Sequence, residues 1–275
     1  MKVAEMAWQM ESNTVQVMGI LNITPDSFSD GGRFHVQDAA LHHVEQMVQD
    51  GVDIIDIGGE STRPGADAVD VATELARVVP MIEAIRQRFD VPISVDTSKP
   101  EVMLAAVNAG ANIINDIRAL QEPNALAICA TLNVPICLMH MQGLPRSMQH
   151  NPQYKDVIAD VCQFFAERIA TCERAGITRS RLILDPGFGF GKTLDHNIAL
   201  LRGLDTFLDF QLPLLVGVSR KSMIGQLLGD RSVDERLHGS VAAAVIAAMK
   251  GSRIIRVHDV KATVDAMKIV KAVCR

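Results

Sequence analysis

Short apolar runs alternate with longer amphipathic segments along the whole chain. The runs fall at 17–23, 53–58, 91–96, 112–117, 134–140, 181–187, 213–218 and 253–259. They show little period-two alternation, so they read as strands buried on both faces, as in a parallel sheet. Between them, segments 36–50, 69–89, 100–109, 154–175, 233–250 and 260–273 carry helical patterning. Asp38, Pro100 and Asp259 stand where helices should begin, and Gly51, Gly110, Gly176 and Gly251 where they should end. Eight strands with intervening helices predict an α/β fold, a closed (β/α)8 TIM barrel. No Pro- or Gly-rich linker divides the chain, so one domain over 1–275 is expected, with 1–15 as an N-terminal extension. A doubly wound open sheet is the alternative.

The residues that end the runs turn this fold into a site. They are Asn22, Asp56, Asp96, Asn115, His140, Asp185, Ser219 and His258. Each alone is an ordinary turn former, but in a barrel all eight gather at one mouth, where active sites sit. The first run opens into the loop-forming stretch TPDSFSDGG, longer than compact domains use without a reason.

Three further segments carry candidate chemistry. In GGESTRPGA (58–66) two glycines, Ser61, Thr62 and Arg63 suit phosphate oxygens, although a surface loop with a solvated arginine has the same look. Arg256 and His258 lie two apart and share a face; a ligand anion or an internal carboxylate would satisfy the arginine equally. In GVSRKSMIG (217–225), Ser219 leaves a strand, Lys221 reaches inward and Ser222 is placed as an N-cap, so a carboxylate or phosphate is favoured there. An ordinary capped junction is the alternative. DPGFGFGKT (185–193) is one residue short of a phosphate-binding loop and has Pro186 where the first glycine belongs. It reads better as a glycine-rich loop bringing Phe188 and Phe190 to a flat ligand, with Asp185 as acceptor.

Composition narrows the classes. A net charge of -5 argues against a nucleic-acid partner, and 48% hydrophobic with 21% charged residues suits a soluble enzyme. Five cysteines without CxxC spacing indicate reduced thiols and a cytoplasmic location. The N-terminal stretch lacks a signal-peptide core, and no run reaches the ~20 apolar residues of a membrane span. Neither HxxxH nor HExxH occurs, which excludes the usual zinc patterns. A carboxylate cage from Asp56, Asp96 and Asp185 is conceivable, while Asn22 alone suffices for Mg²⁺ when a substrate phosphate supplies other ligands. The apolar stretch 241–249 exceeds the needs of one helix layer and points to a homodimer.

Taken together, GILNITPDSFSDGG, GGESTRPGA, SVDTSKP, NDI, DPGFGFGK, GVSRKSMIG and RVHDV resemble the dihydropteroate synthases of the folate pathway, over residues 17–264. That resemblance implies transfer of the (7,8-dihydropterin-6-yl)methyl group from its diphosphate to 4-aminobenzoate. It places the pterin against Asp96, Asn115, Asp185 and Lys221, and the diphosphate at Thr62, Arg63, Arg256 and His258 with Mg²⁺ on Asn22. The aminobenzoate would lie by Phe28, Pro64, Phe190, Ser219, Lys221 and Ser222, and loops 24–32 and 63–67 would close over the site. Asp96, Asp185, Lys221, Arg63, Arg256 and His258 are then the catalytic set. Arg256→Ala is expected to lose turnover while the fold persists. Two rivals compete: a pterin-binding methyltransferase barrel, which has no need of the STRPG and RVH anion site, and a silent paralogue, which has no reason to keep all these residues.

Overall fold

A computed structural model describes residues 14–23, 33–61, 69–143 and 148–274. Eight strands occur in chain order: β1 Gln16–Asn22, β2 Ile54–Gly58, β3 Ile93–Asp96, β4 Ile113–Asp116, β5 Ile136–Met139, β6 Leu182–Asp185, β7 Leu215–Val216 and β8 Ile254–Val257. All are parallel, in the order β6-β5-β4-β3-β2-β1-β8-β7. A parallel bridge between Leu184 and Leu214 joins the two ends, so the sheet rolls into a barrel. The open-sheet alternative is thereby set aside.

Nine α-helices among the described residues pack outside the sheet: α1 Arg33–Gln49, α2 Val71–Arg86, α3 Pro100–Asn108, α4 Ala125–Thr131, α5 Val157–Arg174, α6 Leu194–Arg202, α7 Ser222–Leu227, α8 Leu237–Met249 and α9 Val260–Val273. Asp70 and Asp156 cap α2 and α5 with their carboxylates, each satisfying backbone donors that the first turn leaves open. The four expected helix stops all have positive φ. Asp38, expected at a helix start, lies inside α1. The expectations also passed over α4 and α6. The first is a single short turn pair of apolar residues, and the second begins with a capping box whose third residue is His196 rather than an acid or amide.

Strand geometry sorts the apolar residues into two cores, since successive side chains face opposite ways. One set, including Ile55, Val95, Ile114, Leu138, Leu184 and Ile255, packs outward against the helices with Phe165 and Phe207. The other, Met18, Ile54, Ile113, Cys137, Ile183, Leu215 and Ile254, forms a separate buried cluster that fills the barrel interior as an apolar floor. Two residues further along the same inward faces stand Asp56, Asn115, Met139, Asp185, Gly217 and Arg256. Hydrocarbon below and charge above is thus a direct product of period two.

Candidate active site

Register sets the first row of the site. Asn22 pairs with Gly58, Gly58 with Asp96, and Asp96 with Asn115, so β1 to β4 deliver these positions side by side. Asp56, Asp96, Asn115 and Asp185 are all buried. Four such groups need partners: Asn115 reaches Asp56, Arg256 serves Asp56 and Asp96, and Asp185 takes a backbone N–H.

Arg256 is the hub. Its Nε donates to Asp56 at 2.6 Å and its Nη2 to Asp96 at 2.8 Å. Asn115 adds a weak pair of contacts from Nδ2 to the Asp56 carboxylate at 3.3 and 3.5 Å. Of the two partners open to Arg256 in the sequence, the internal carboxylates are the ones the structure shows. Burial works against its charge, yet Asp56 and Asp96 more than offset this and hold the guanidinium firmly protonated. Asp96 is pushed up to about 7, by burial first and then by neighbouring carboxylates, with Arg256 opposing. Two atoms stay unsatisfied: Asp96 Oδ1 and Ser94 Oγ are buried without a hydrogen-bond partner. Such atoms are uncommon in folded proteins, and here the two lie on the inward face of one strand.

On the opposite side, Asp185 ends β6 and accepts the Gly187 N–H at 2.8 Å. Burial raises its carboxyl, while Lys221, Gly187 and Arg256 pull it back. Lys221 donates to the Phe188 carbonyl and lies 4.5 Å from the centre of the Phe190 ring. Burial lowers it to about 8, with Asp185 opposing. Asp185 and Arg256 sense each other's charge, so acids and bases share one rim.

The last strands supply a polar edge. The Ser219 hydroxyl accepts the His258 N–H at 3.2 Å, and His258 Nδ1 lies 3.2 Å from the same oxygen. Between Ser219 and Lys221 stands Arg220, a non-glycine residue at φ 57°, whose guanidinium clasps Asp259 at 2.5 and 2.9 Å. This kink lets Ser219 face His258 while Lys221 faces Asp185. Ser222 is exposed and is the first residue of α7, whose N-cap is Lys221 with no side-chain cap bond; the expected Ser222 cap is not formed.

Three other expectations change. His140 does not enter the mouth: Met139 faces inward, and the His140 ring packs beside Phe164 and Tyr154. Phe188 is fully buried in the outer core, so only Phe190 is left to meet a flat ligand. The cage of Asp56, Asp96 and Asp185 does not assemble, because the first two turn to Arg256 and the third to Gly187; among the described residues no group of three metal-ligating side chains forms. Asn22, half-buried on the rim, keeps an amide beside Gly58, where a Cβ would sit 3.4 Å from its Oδ1. Phe28, Thr62, Arg63 and Pro64, and the loops 24–32 and 63–67, lie outside the described residues. Asp56, expected at the mouth and in a carboxylate cage, is instead a partner of Arg256; Ser94 was not anticipated, although counting back by two from Asp96 finds it.

Residues 18–258 match the family model of the pterin binding enzymes. The dihydropteroate synthase of Escherichia coli (strain K12) is 58% identical over 272 residues, covering 99% of this chain and 96% of the relative. A crystal structure of the Yersinia pestis dihydropteroate synthase with a sulfonamide drug superposes with a TM-score of 0.90 at 56% identity, covering 99% of this chain and 95% of that one. The Xanthomonas albilineans dihydropteroate synthase with 4-aminobenzoic acid gives a TM-score of 0.90 at 50% identity, with 95% and 93% covered.

Proposed function

The chain belongs to the pterin-binding enzymes, among the dihydropteroate synthases, and from that premise we infer how its barrel mouth divides the work. The activity is transfer of the (7,8-dihydropterin-6-yl)methyl group from its diphosphate to 4-aminobenzoate, releasing pyrophosphate and 7,8-dihydropteroate in folate biosynthesis. The enzyme is an alkyl-group transferase acting on small molecules.

The pterin lies against Asp96, Asn115, Asp185 and Lys221. The observation that carries this is the bare Asp96 Oδ1 on the same rim as a buried amide and a second acid. A pterin edge offers several N–H donors and a carbonyl, for which two carboxylates, an amide and a cation are complementary. The diphosphate meets Thr62, Arg63, Arg256 and His258. Two of the five guanidinium N–H groups of Arg256 go to Asp56 and Asp96, and others are left for an oxygen. The aminobenzoate lies outward, by Phe28, Pro64, Phe190, Ser219, Lys221 and Ser222. Asn22 fits a Mg²⁺ that takes its other ligands from phosphate and water; such an ion would neutralise charge on the departing diphosphate.

The carbon–oxygen bond breaks with its electron pair leaving on the diphosphate, where Arg256 and His258 stabilise it. The dihydropterin ring spreads the positive charge, and Asp96 and Asp185 favour that electron-poor ring. The arylamine nitrogen then bonds to the methylene and releases its proton to water. The neutral amine is already nucleophilic near pH 7, so no strong base is needed.

A homodimer is supported by Ile246 and Met249 on α8 and Ile269 and Val273 on α9, all exposed. Among the described residues no helix is long and apolar enough to cross a membrane. Free thiols at the five cysteines support a cytoplasmic location, and one shared floor and rim support a single domain over 1–275 with 1–15 as an extension. The test is turnover: purified enzyme with both substrates should release pyrophosphate and form dihydropteroate. Pterin binding without turnover would favour the silent paralogue, and methyl transfer from methyl-tetrahydrofolate the methyltransferase.

A further inference from the structure

Lys192 has no task in the reaction above, although it follows the glycine-rich loop after β6. The side chain is only 3% exposed, and among the described residues no carboxylate pairs with it. Instead Nζ lies 2.9 Å from His140 Nδ1, 2.9 Å from the Gly187 carbonyl oxygen, 3.0 Å from that of Phe190 and 3.3 Å from that of His140. Burial draws its ammonium well below the usual lysine range, with Asp185 opposing. The imidazole beside it is drawn to about 3, by burial first and Lys192 second, and is therefore neutral. A buried amine surrounded by uncharged acceptors is costly to keep, so the loop it organises should matter.

That loop reaches the site at three points. Gly187 N–H holds Asp185, the Phe188 carbonyl accepts from Lys221, and the Phe190 ring lies under the Lys221 ammonium. Its backbone passes through left-handed φ at Gly187, Gly189 and Gly191 (69°, 78° and 59°), and a Cβ at Gly187 would run into the His140 carbonyl oxygen. A glycine chain of this kind is conformationally loose unless tied. Tyr154 Oη tethers it from outside at the Gly191 carbonyl, 2.9 Å away. Lys192 is the tether on the inside, and without it carbonyl dipoles that converge on one point would face each other bare.

We propose that Lys192 is a positioning residue for the aminobenzoate half of the site: it gathers the Gly187, Phe190 and His140 carbonyls and so fixes the Phe190 ring and the Phe188 carbonyl against Lys221. The role rests on the aminobenzoate reading given above. Lys192→Met keeps the buried stem and removes the donors. In steady-state assays of the full-length enzyme at saturating dihydropterin diphosphate, KM for 4-aminobenzoate should rise about tenfold or more, since a displacement near 1 Å can cost ~100-fold. Calorimetric affinity for a pterin analogue should fall by clearly less, because Asp96 and Asn115 are untouched while only Asp185 and Lys221 feel the loop. Lys192→Gln, still able to donate two hydrogen bonds, should recover part of the loss. His140→Phe, which keeps the ring packing and removes one acceptor, should shift KM in the same direction and carries the test if Lys192→Met does not fold. A lowered melting temperature with wild-type KM in the folded fraction, or equal loss of both ligands, overturns the proposal. Phe190→Ala separates the two readings. An unchanged aminobenzoate KM there refutes the site assignment itself, whereas a raised one beside a wild-type KM in Lys192→Met refutes only the tether.

Discussion

Arg256 donates to Asp96 across the barrel mouth at 2.8 Å, although 160 residues separate them in the chain. The same guanidinium holds Asp56 at 2.6 Å. The arginine is therefore a structural counter-charge as well as the proposed anion binder, and this changes what its removal should do.

Arg256→Ala should lower turnover by ~10³-fold, the size of effect seen when one donor to a developing anion is lost. It should also destabilise the fold, contrary to the reading from sequence alone. Two buried carboxylates lose their partner, which costs about 3–5 kcal/mol. A carboxyl whose folded pKa lies above its unfolded value loses stability as pH rises through the folded one. The penalty should thus be larger at pH 8 than at pH 5, measured by urea denaturation at both. An equal penalty at the two pH values would refute the shared ion pair.

Asp96, pushed up to about 7, and Lys221, drawn down to about 8, bracket a narrow working range. If the ionised Asp96 accepts a ring N–H, binding a pterin analogue near pH 6 must release a proton. Affinity should climb from pH 6 as Asp96 ionises and fall again above pH 8 as Lys221 loses its charge. Calorimetry in buffers of different ionisation enthalpy reads the proton directly. The rate kcat/KM should follow a bell with limbs near these two values. Affinity independent of pH would remove Asp96 from the pterin edge.

Asp185→Asn should weaken the same analogue by about 1.5–3 kcal/mol, the usual size for a hydrogen bond to a charged group. The Gly187 N–H can still find the amide oxygen, so melting should change little. Wild-type affinity in this variant would move the pterin elsewhere.

Met249, 64% exposed on α8 near Ile246, should lie in the contact between two copies. Met249→Glu would place a charge in an apolar interface. Light scattering should then show monomer where the parent is a dimer, with turnover per chain largely kept. A parent that is monomeric at micromolar concentration would end the dimer proposal.

The barrel was legible because parallel strands buried on both faces print as continuous apolar runs, and their polar ends print as Asn22, Asp96, Asn115 and Asp185. What a run does not print is its face. His140 follows Cys137 by three and so turns outward, whereas Asp56 follows Ile54 by two and turns in. Only register and a known floor settle such parity. Phe188 and Phe190 illustrate the same limit inside a loop, where one ring is buried and the other partly open. The Lys192 tether was hidden for a different reason: its acceptors are mostly main-chain oxygens, which every residue has.

Among the described residues, the hydrocarbon plug formed by Met18, Ile54, Ile113 and their neighbours closes the chamber from below. Whatever rests deepest must then arrive first and depart last. A heterocycle seated on Asp96 and Asp185, as proposed, would then precede the arylamine, and the joined product would back out by the way its halves came in.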